Sequence, residues 1–564
     1  MAQIKFNDEK SDNAVWQCIK QSNCIKDYES YMSLFADALH DTQACENIDR
    51  LLHDPTPDDI ALPLFQQGLI ALSELTKSDD SSSQFHLGKS YALGIGTKSD
   101  WGKAFRHYSV SGLQGDPRGY HNIARAYYWG ESEQRDYLKA AEYFEKAYQI
   151  KHDTLTVLFL AKMHIYGYGY EKDTAKGIDL LLHEIDHGDT YALALLGNLL
   201  KSGDGVPADV HAGLQHIREA AELGNSHAQD LLGDCYERGE GVEKDMSKAA
   251  RWYQMAAEQG RRSAQESIGV LNLLGAEIPR DGAEGIKWLK SAALHGSPSA
   301  TRKMGITFSD GVGVIPNSGE AAIWLERAVE QGDEQAIWRM ADIYEFGSGV
   351  EKDRARAVAL YRKAAKNGHT RSQYIIGFCY WTGNILDLDL HEARKWMNIS
   401  ALQGYAPAQA AIGDFYRDGI AGEKNVKKAL SSYRLAAAQG YILGMERLGT
   451  AYLFGEIVDF DYAEAIYWLS QAADKGSPEG NFYTGEMLRR GLGVDCNPGL
   501  ASEWILVAAE KDYAPAQYAL GKMYAEGEGL AINKAEATQW IQKAAEQDHE
   551  SAKKWLLEQL TLVN

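Results

Sequence analysis

The sequence predicts an all-α protein, a solenoid of about thirteen helix-turn-helix repeats of 36 residues. Three observations carry this. A segment of small residues closing on glycine returns every 36 residues: AAELG at 220–224, AAEQG at 256–260, AALHG at 292–296, and on to AADKG at 472–476. A marker glycine keeps the same step at Gly197, Gly233, Gly269 and Gly305, then from Gly377 to Gly521, with Ala341 between. Stepping back through Ala161, Ala124 and Gly88 makes thirteen copies. Third, Asp245 and all its equivalents from Asp100 to Asn533 are Asp or Asn.

The elements follow in order. Residues 1–80 do not match the repeat cleanly and are expected to form a helical cap with a possible degenerate copy. Within them, 14–40 is amphipathic and helix-rich, and Pro55, Pro57 and Pro63 precede a helix around 60–76. SDDSSS at 78–83 reads as a turn or hinge. Repeats fill 81–548. A last helix over 549–561, with Trp555 and Leu556, is expected to cap the C-terminal end within 549–564.

The unit 228–260 shows how each copy works. Leu232 and Tyr236 share one face of a first helix. Gly233 sits mid-helix, where glycine costs about 1 kcal/mol against alanine. Its recurrence predicts a helix crossing too close for a side chain. Gly239 and Gly241 end the helix. Asp245 then caps the second helix, because Asp and Asn accept hydrogen bonds from its orphan N–H groups. That helix carries Ala249, Trp252, Tyr253, Ala256 and Ala257 on one stripe. Seven of the 13 tryptophans occupy the Trp252 position, which predicts a core role for them. One unit cannot bury its stripe alone, so the units stack.

The pattern A-x-x-x-L-G-x-x-Y-x-x-G-x-G-V-x-x-D-x-x-K-A-x-x-W-Y-x-x-A-A-E-Q-G resembles the Sel1-like repeat, a tetratricopeptide relative, over roughly residues 83–550. The resemblance implies a right-handed superhelix and an adaptor role, often in bacterial signalling, secretion or host contact. Copies containing Glu277, Ile385 and Ile457 lack the second loop glycine, so an altered turn is expected there.

Composition narrows the function. A net charge of −21 argues against nucleic acid and anionic membrane, which need a basic footprint, and leaves room for a basic protein partner. No stretch approaches the roughly 18 apolar residues of a membrane span, and a cytoplasmic location is expected. The six cysteines keep no repeat register and read as free thiols.

Chemistry-bearing candidates are few. His183-Glu184-Ile185-Asp186-His187 matches the H-E-x-x-H string of zinc hydrolases. His187, however, aligns with the helix-ending Gln259, so the match reads as coincidence. The Gly-x-Gly pairs follow helices, not strands, so no phosphate cradle is expected. No cofactor, metal or catalytic residue is expected, and the chain reads as a non-enzyme.

A variable face of the first helix remains. The residue three before the marker ranges over Phe85, His121, Asp230, Arg302, Trp338, Tyr374 and Ala410, a scatter unlike a shared core position. Side chains here are expected to point away from the core, toward the inner surface of the superhelix. Trp338, Asp342, Phe346, Tyr374, Phe378, Trp381, Arg417 and Asp418 form the candidate partner-binding set, aromatic residues ringed by charge. The expected function is a bacterial protein-binding scaffold or adaptor. A toxin-neutralising immunity or regulatory inhibitor protein is the narrower alternative, and a metal-dependent hydrolase using residues 183–187 the remaining one.

Overall fold

The computed structural model describes residues 9–20, 31, 32, 34, 44, 48, 62–78, 80–95, 97–132, 134–275, 277–455 and 457–563. Among these are 29 α-helices and no strand. Glu9–Ile19, Leu62–Leu75 and Glu550–Val563 lie outside the paired repeat helices. The others come two per repeat, each of 13 residues except Tyr137–Ile150 with 14. The protein is an all-α solenoid.

Every second helix starts as the sequence predicts. All thirteen residues from Asp100 to Asn533 sit at the N-cap and accept a hydrogen bond from a backbone N–H two or three residues on. Each first helix ends on a left-handed glycine, from Gly94 to Gly527.

The marker glycine lies at a crossing of the two helices. A Cβ on Gly233 would meet the Tyr253 ring at 2.6 Å, and one on Gly413 the Tyr433 ring at 2.5 Å. In both of these repeats an aspartate follows the marker. Tyr253 Oη donates to Asp234 Oδ1 at 2.6 Å or Glu237 Oε2 at 2.7 Å, and Tyr433 Oη to Asp414 Oδ1 at 2.7 Å. Both rings are buried, so each hydroxyl needs that acceptor.

The chain divides into two compact units, residues 1–336 with 348–350, and residues 337–347 with 351–564. In each, the core is a series of small clusters. Ala249, Tyr253, Ala257, Ile268 and Trp288 form one in the first unit. Tyr433, Leu448, Leu469 and Met487 form one in the second. The tryptophan position is less central than expected. Trp288 and Trp324 are buried, but Trp252, Trp396, Trp468, Trp504 and Trp540 are half-buried. The fully covered position is the next one along, Tyr253, Leu325, Tyr433 or Leu469, which faces the marker glycine across the crossing.

Near the N-terminus, Val15, Trp16, Ile19, Tyr31, Leu34, Ala44, Ile48 and Leu72 form a buried cluster with Leu87 of the first repeat. Tyr31 Oη donates to Asp12 Oδ1, with the 19-residue spacing of the repeat tyrosines. The helix expected around 60–76 spans Leu62–Leu75 and includes Pro63; Pro55, Pro57 and most of 14–40 beyond residue 20 fall outside the described residues. SDDSSS is not all turn. Asp80 caps a helix that already contains Ser81–Ser83. At the other end, Ala552 of helix Glu550–Val563 packs on Ile541 and Ala544, with Trp555 and Leu556 beside it.

Two copies without a second loop glycine keep the left-handed turn regardless: Glu277 has φ 62° and Ile385 φ 77°. Ala421 does so as well, at φ 55°, while Ile457 does not take a positive φ. A β-branched residue in this region is strained, because its Cβ crowds the following carbonyl.

Candidate protein-interaction surface

The variable position of the first helix does not face away from the fold. None of its thirteen residues from Phe85 to Tyr518 is exposed. In eight of them, the side chain is wedged between consecutive repeats and meets the residue 31 positions later, which precedes the next first helix; His121 instead meets Thr156 and Phe85 meets Arg118. Trp338 stacks on His369, with centroids 4.9 Å apart and planes at 12°. Tyr374 meets Tyr405 at 5.7 Å, Phe482 meets Tyr513 at 5.6 Å and Tyr518 meets His549 at 4.9 Å.

Charged members are matched in the same way. Arg261 Nε donates to Asp230 Oδ2 at 3.0 Å, and Arg302 Nε to Asp333 Oδ2 at 3.0 Å. Ser297 donates to Glu266 at 3.2 Å, and Ser477 to Glu446. The scatter is therefore a set of matched junctions: ring on ring, cation on carboxylate, hydroxyl on carboxylate. Burial raises the Glu446 carboxyl above its ordinary range despite the bond from Ser477. At Glu266 burial acts the same way, but Lys303 and Ser299 override it and hold the carboxyl low.

The candidate residues all belong to the second unit, and the structure sorts them. Asp342 accepts from Tyr361 and from Arg371 Nη1, the latter at 2.6 Å. Trp381 packs edge-on to Phe415 at 5.3 Å, among Met397, Ile412 and Ala393. Arg417 grips Asp418 through two bonds of 2.8 Å and reaches Asp414 at 3.2 Å. That grip holds the Asp418 carboxyl below the usual range. Two aromatic rings stay open to solvent: Phe346 is 67% exposed and Phe378 43%. Phe378 stands edge-on to Trp381 at 5.9 Å and 6.3 Å from Tyr374. So Trp338, Tyr374 and Trp381 are half-buried, Phe378 rises against the last two, and Phe346 stands exposed on the helix of Trp338, four residues beyond Asp342. The sequence held a signal for the junctions, opposite charges 31 residues apart at 230/261 and 302/333, visible only when adjacent repeats are compared in pairs.

His183 lies on helix Thr174–Asp186 and His187 is its C-cap. The rings are 4.4 Å apart, and His187 Nδ1 lies 2.7 Å from the His183 carbonyl oxygen. Among the described residues no group of three or more His, Cys, Asp or Glu side chains is placed to hold a metal ion. No helix among them is long and apolar enough to cross a membrane.

Paired helices, capped in register and locked through matched junctions, define a tetratricopeptide-like repeat protein. The Sel1 repeat model matches thirteen times, at 81–116, 117–152, 158–182, 190–225, 226–260, 262–297, 298–333 and every 36-residue span from 334–369 to 514–549, and the chain belongs to that family. Its members typically mediate protein–protein interaction and are generally non-enzymatic. Among solved structures, the chain is similar to c5321, a protective antigen present in uropathogenic Escherichia coli strains displaying an SLR fold. The two share 27% identity over 79% of this chain and 88% of that one, with a TM-score of 0.60. A Sel1 repeat protein from Oxalobacter formigenes shares 28% identity over 55% and 90%, with a TM-score of 0.44. The immunity protein Pa5087 from Pseudomonas aeruginosa shares 22% over 37% and 75%, with a TM-score of 0.25. No curated protein matches the chain in the sequence search.

Proposed function

We propose that this protein is a non-enzymatic scaffold that holds a protein partner on the first-helix face of repeats 334–405, with Phe346 and Phe378 as the anchoring contacts. One observation carries the reading: two large rings remain in solvent on footing fixed by stacking and ion pairs. Rigid exposed aromatics lose little entropy on binding and shed much apolar surface. Asp342, Arg417 and Asp418 supply the charged rim. Residues 1–80 and 549–564 act as end caps of the array.

Affinity purification of the full chain followed by mass spectrometry identifies the partner. The pair Phe346→Ala and Phe378→Ala then tests the site. Partner capture should fall at least about tenfold, with the circular dichroism spectrum and melting temperature unchanged. Undiminished capture by this variant refutes the site.

A narrower form is an immunity or regulatory inhibitor protein that wraps a basic toxin or enzyme, supported by the net charge of −21. Its complex should weaken steeply as salt rises, and a salt-independent affinity would exclude it. We place the protein in a bacterial cytoplasm, where thiols such as Cys235 and Cys379, free in the structure, stay reduced.

A further inference from the structure

Leucine stands at the last position of the second helix in three repeats, as Leu113, Leu294 and Leu402. Glutamate fills that place at Glu222, Glu258, Glu330, Glu510 and Glu546. Leu113 is 77% exposed and Leu402 79%, but Leu294 is half-buried. One repeat further on, Arg327 is 3% exposed. Val110, Met255, Leu435 and Val507, at the same distance from their own caps, are between 37% and 54% exposed. Stacked repeats cover equivalent positions alike. What shields this side of helices Gly282–Leu294 and Ser318–Glu330 therefore comes from outside the array.

At Leu294 the shield is the N-terminal cluster. Leu294 packs against the group that holds Val15, Trp16, Ile19, Tyr31, Leu34 and Leu72. The same group is anchored on the first repeat through Leu87 and Ile95. A 2.9 Å hydrogen bond joins the hydroxyls of Ser11 and Ser83, and Lys89 Nζ donates to the Leu34 carbonyl at 2.9 Å. One cluster thus touches the first repeat and the sixth. Five repeat steps of 8–10 Å in a straight line would separate these by about 40–50 Å. Helices Glu9–Ile19 and Leu62–Leu75 are only about 16 and 21 Å long at ~1.5 Å per residue. The two repeats can share so small a cluster only because the array curls back on itself.

We infer that the N-terminal module is a clasp. Besides capping the first repeat, it docks on the end of the second helix of the sixth and holds the first turn of the array closed, with Leu294 as its foothold. The occupant of this surface is the chain's own N-terminal segment. Its anchor on the first repeat is broader than the foothold, so release opens the turn at Leu294 and leaves the first repeat capped. The clasp lies apart from Phe346 and Phe378 and does not depend on them.

Leu294→Glu tests it with the residue that the array already places there at Glu222, Glu258 and Glu330, so the helix itself tolerates the change. A carboxylate does not enter an apolar cluster without large cost. In the full chain, hydrogen exchange of helices Glu9–Ile19 and Leu62–Leu75 should quicken by about tenfold, the ratio that half-burying a leucine supports. Exchange of helix Gly282–Leu294 should stay as it is, and the radius of gyration from small-angle X-ray scattering should grow. Leu294→Met, which keeps the apolar contact, should behave as the parent, and so should Leu402→Glu, which alters an exposed leucine. Unchanged exchange of the two N-terminal helices in Leu294→Glu, or an unchanged radius, overturns the clasp. It also falls if Leu402→Glu has the same effect, since added charge alone is then the cause. If the parent sediments as a dimer that Leu294→Glu converts to a monomer, the foothold holds the module of a second copy and the intramolecular clasp is excluded.

Discussion

Removing both members of a charged junction should cost less than the sum of removing each alone. Asp230 is buried, and Arg261 Nε sits 3.0 Å from its Oδ2. The same oxygen accepts from Ser263, and Arg261 Nη2 also reaches His227 Nδ1 at 2.8 Å. Two unit charges about 4 Å apart interact by about 4 kcal/mol at an effective dielectric of 20. Arg261 is a third exposed, which screens part of that. A charge-assisted bond in such a place contributes about 1.5–3 kcal/mol. Arg261→Ala leaves a buried carboxylate with only a serine, and Asp230→Ala leaves a guanidinium between repeats; each should cost about 2–4 kcal/mol. The double variant should cost clearly less than the sum, with a coupling of about 1.5–3 kcal/mol. Because a solenoid does not unfold in one step, the assay is hydrogen exchange of helices Ser226–Arg238 and Arg262–Leu274 in all four proteins. A coupling below about 0.5 kcal/mol would refute the junction reasoning and return the pair to the status of solvated surface charges.

Two further outcomes follow from named residues. Ile385→Gly relieves a left-handed β-branched residue of about 1–2 kcal/mol, partly offset by the entropy glycine adds to the unfolded chain; helices Thr370–Thr382 and Leu390–Leu402 should exchange more slowly, and faster exchange would show the turn is not strained. Burial pushes His121 down to about 4, with Asp153 pulling it up and Arg125 down. The folded state thus favours the neutral ring, so its contribution is whole above pH 6.5 and is lost as pH falls from 6.5 toward 4, to a limit of about 3 kcal/mol. In a pH series of melting temperatures, His121→Phe, which copies Phe85 of the preceding repeat, should flatten that window, and an unchanged slope would exclude the histidine.

Most of the fold was legible because its signals are local and repeated. An Asp or Asn returning thirteen times at one step has a single structural explanation, and every one is a cap. The marker glycines were legible for the same reason, since no other residue fits against the Tyr253 or Tyr433 ring. Tryptophan misled because recurrence measures structural constraint, not depth. Trp468, for instance, hydrogen-bonds Glu464 at the rim while Leu469 fills the crossing. The site was harder. Chemical variety at Trp338 and Tyr374 looks like exposure when each position is read alone, and becomes packing once His369 and Tyr405 are seen opposite. Such pairing spans two repeats, beyond the reach of a single-unit pattern. Ile385 shows the reverse limit, a turn kept by its neighbours against the preference of its own side chain.

The matched junctions also constrain how such a chain can lengthen or shorten by whole units. Deleting 261–296 would bring Ser297 to Asp230, a hydroxyl on a carboxylate of the kind Ser477 and Glu446 already make. Deleting 297–332 would instead set Glu266 against Asp333, two carboxylates with Ser297 and Arg302 both gone. Copies that look interchangeable by their caps and glycines are thus not interchangeable in sequence order. Recombination between units is filtered by the seam it creates, and gene-level shuffling of this array should survive only where the new neighbours agree.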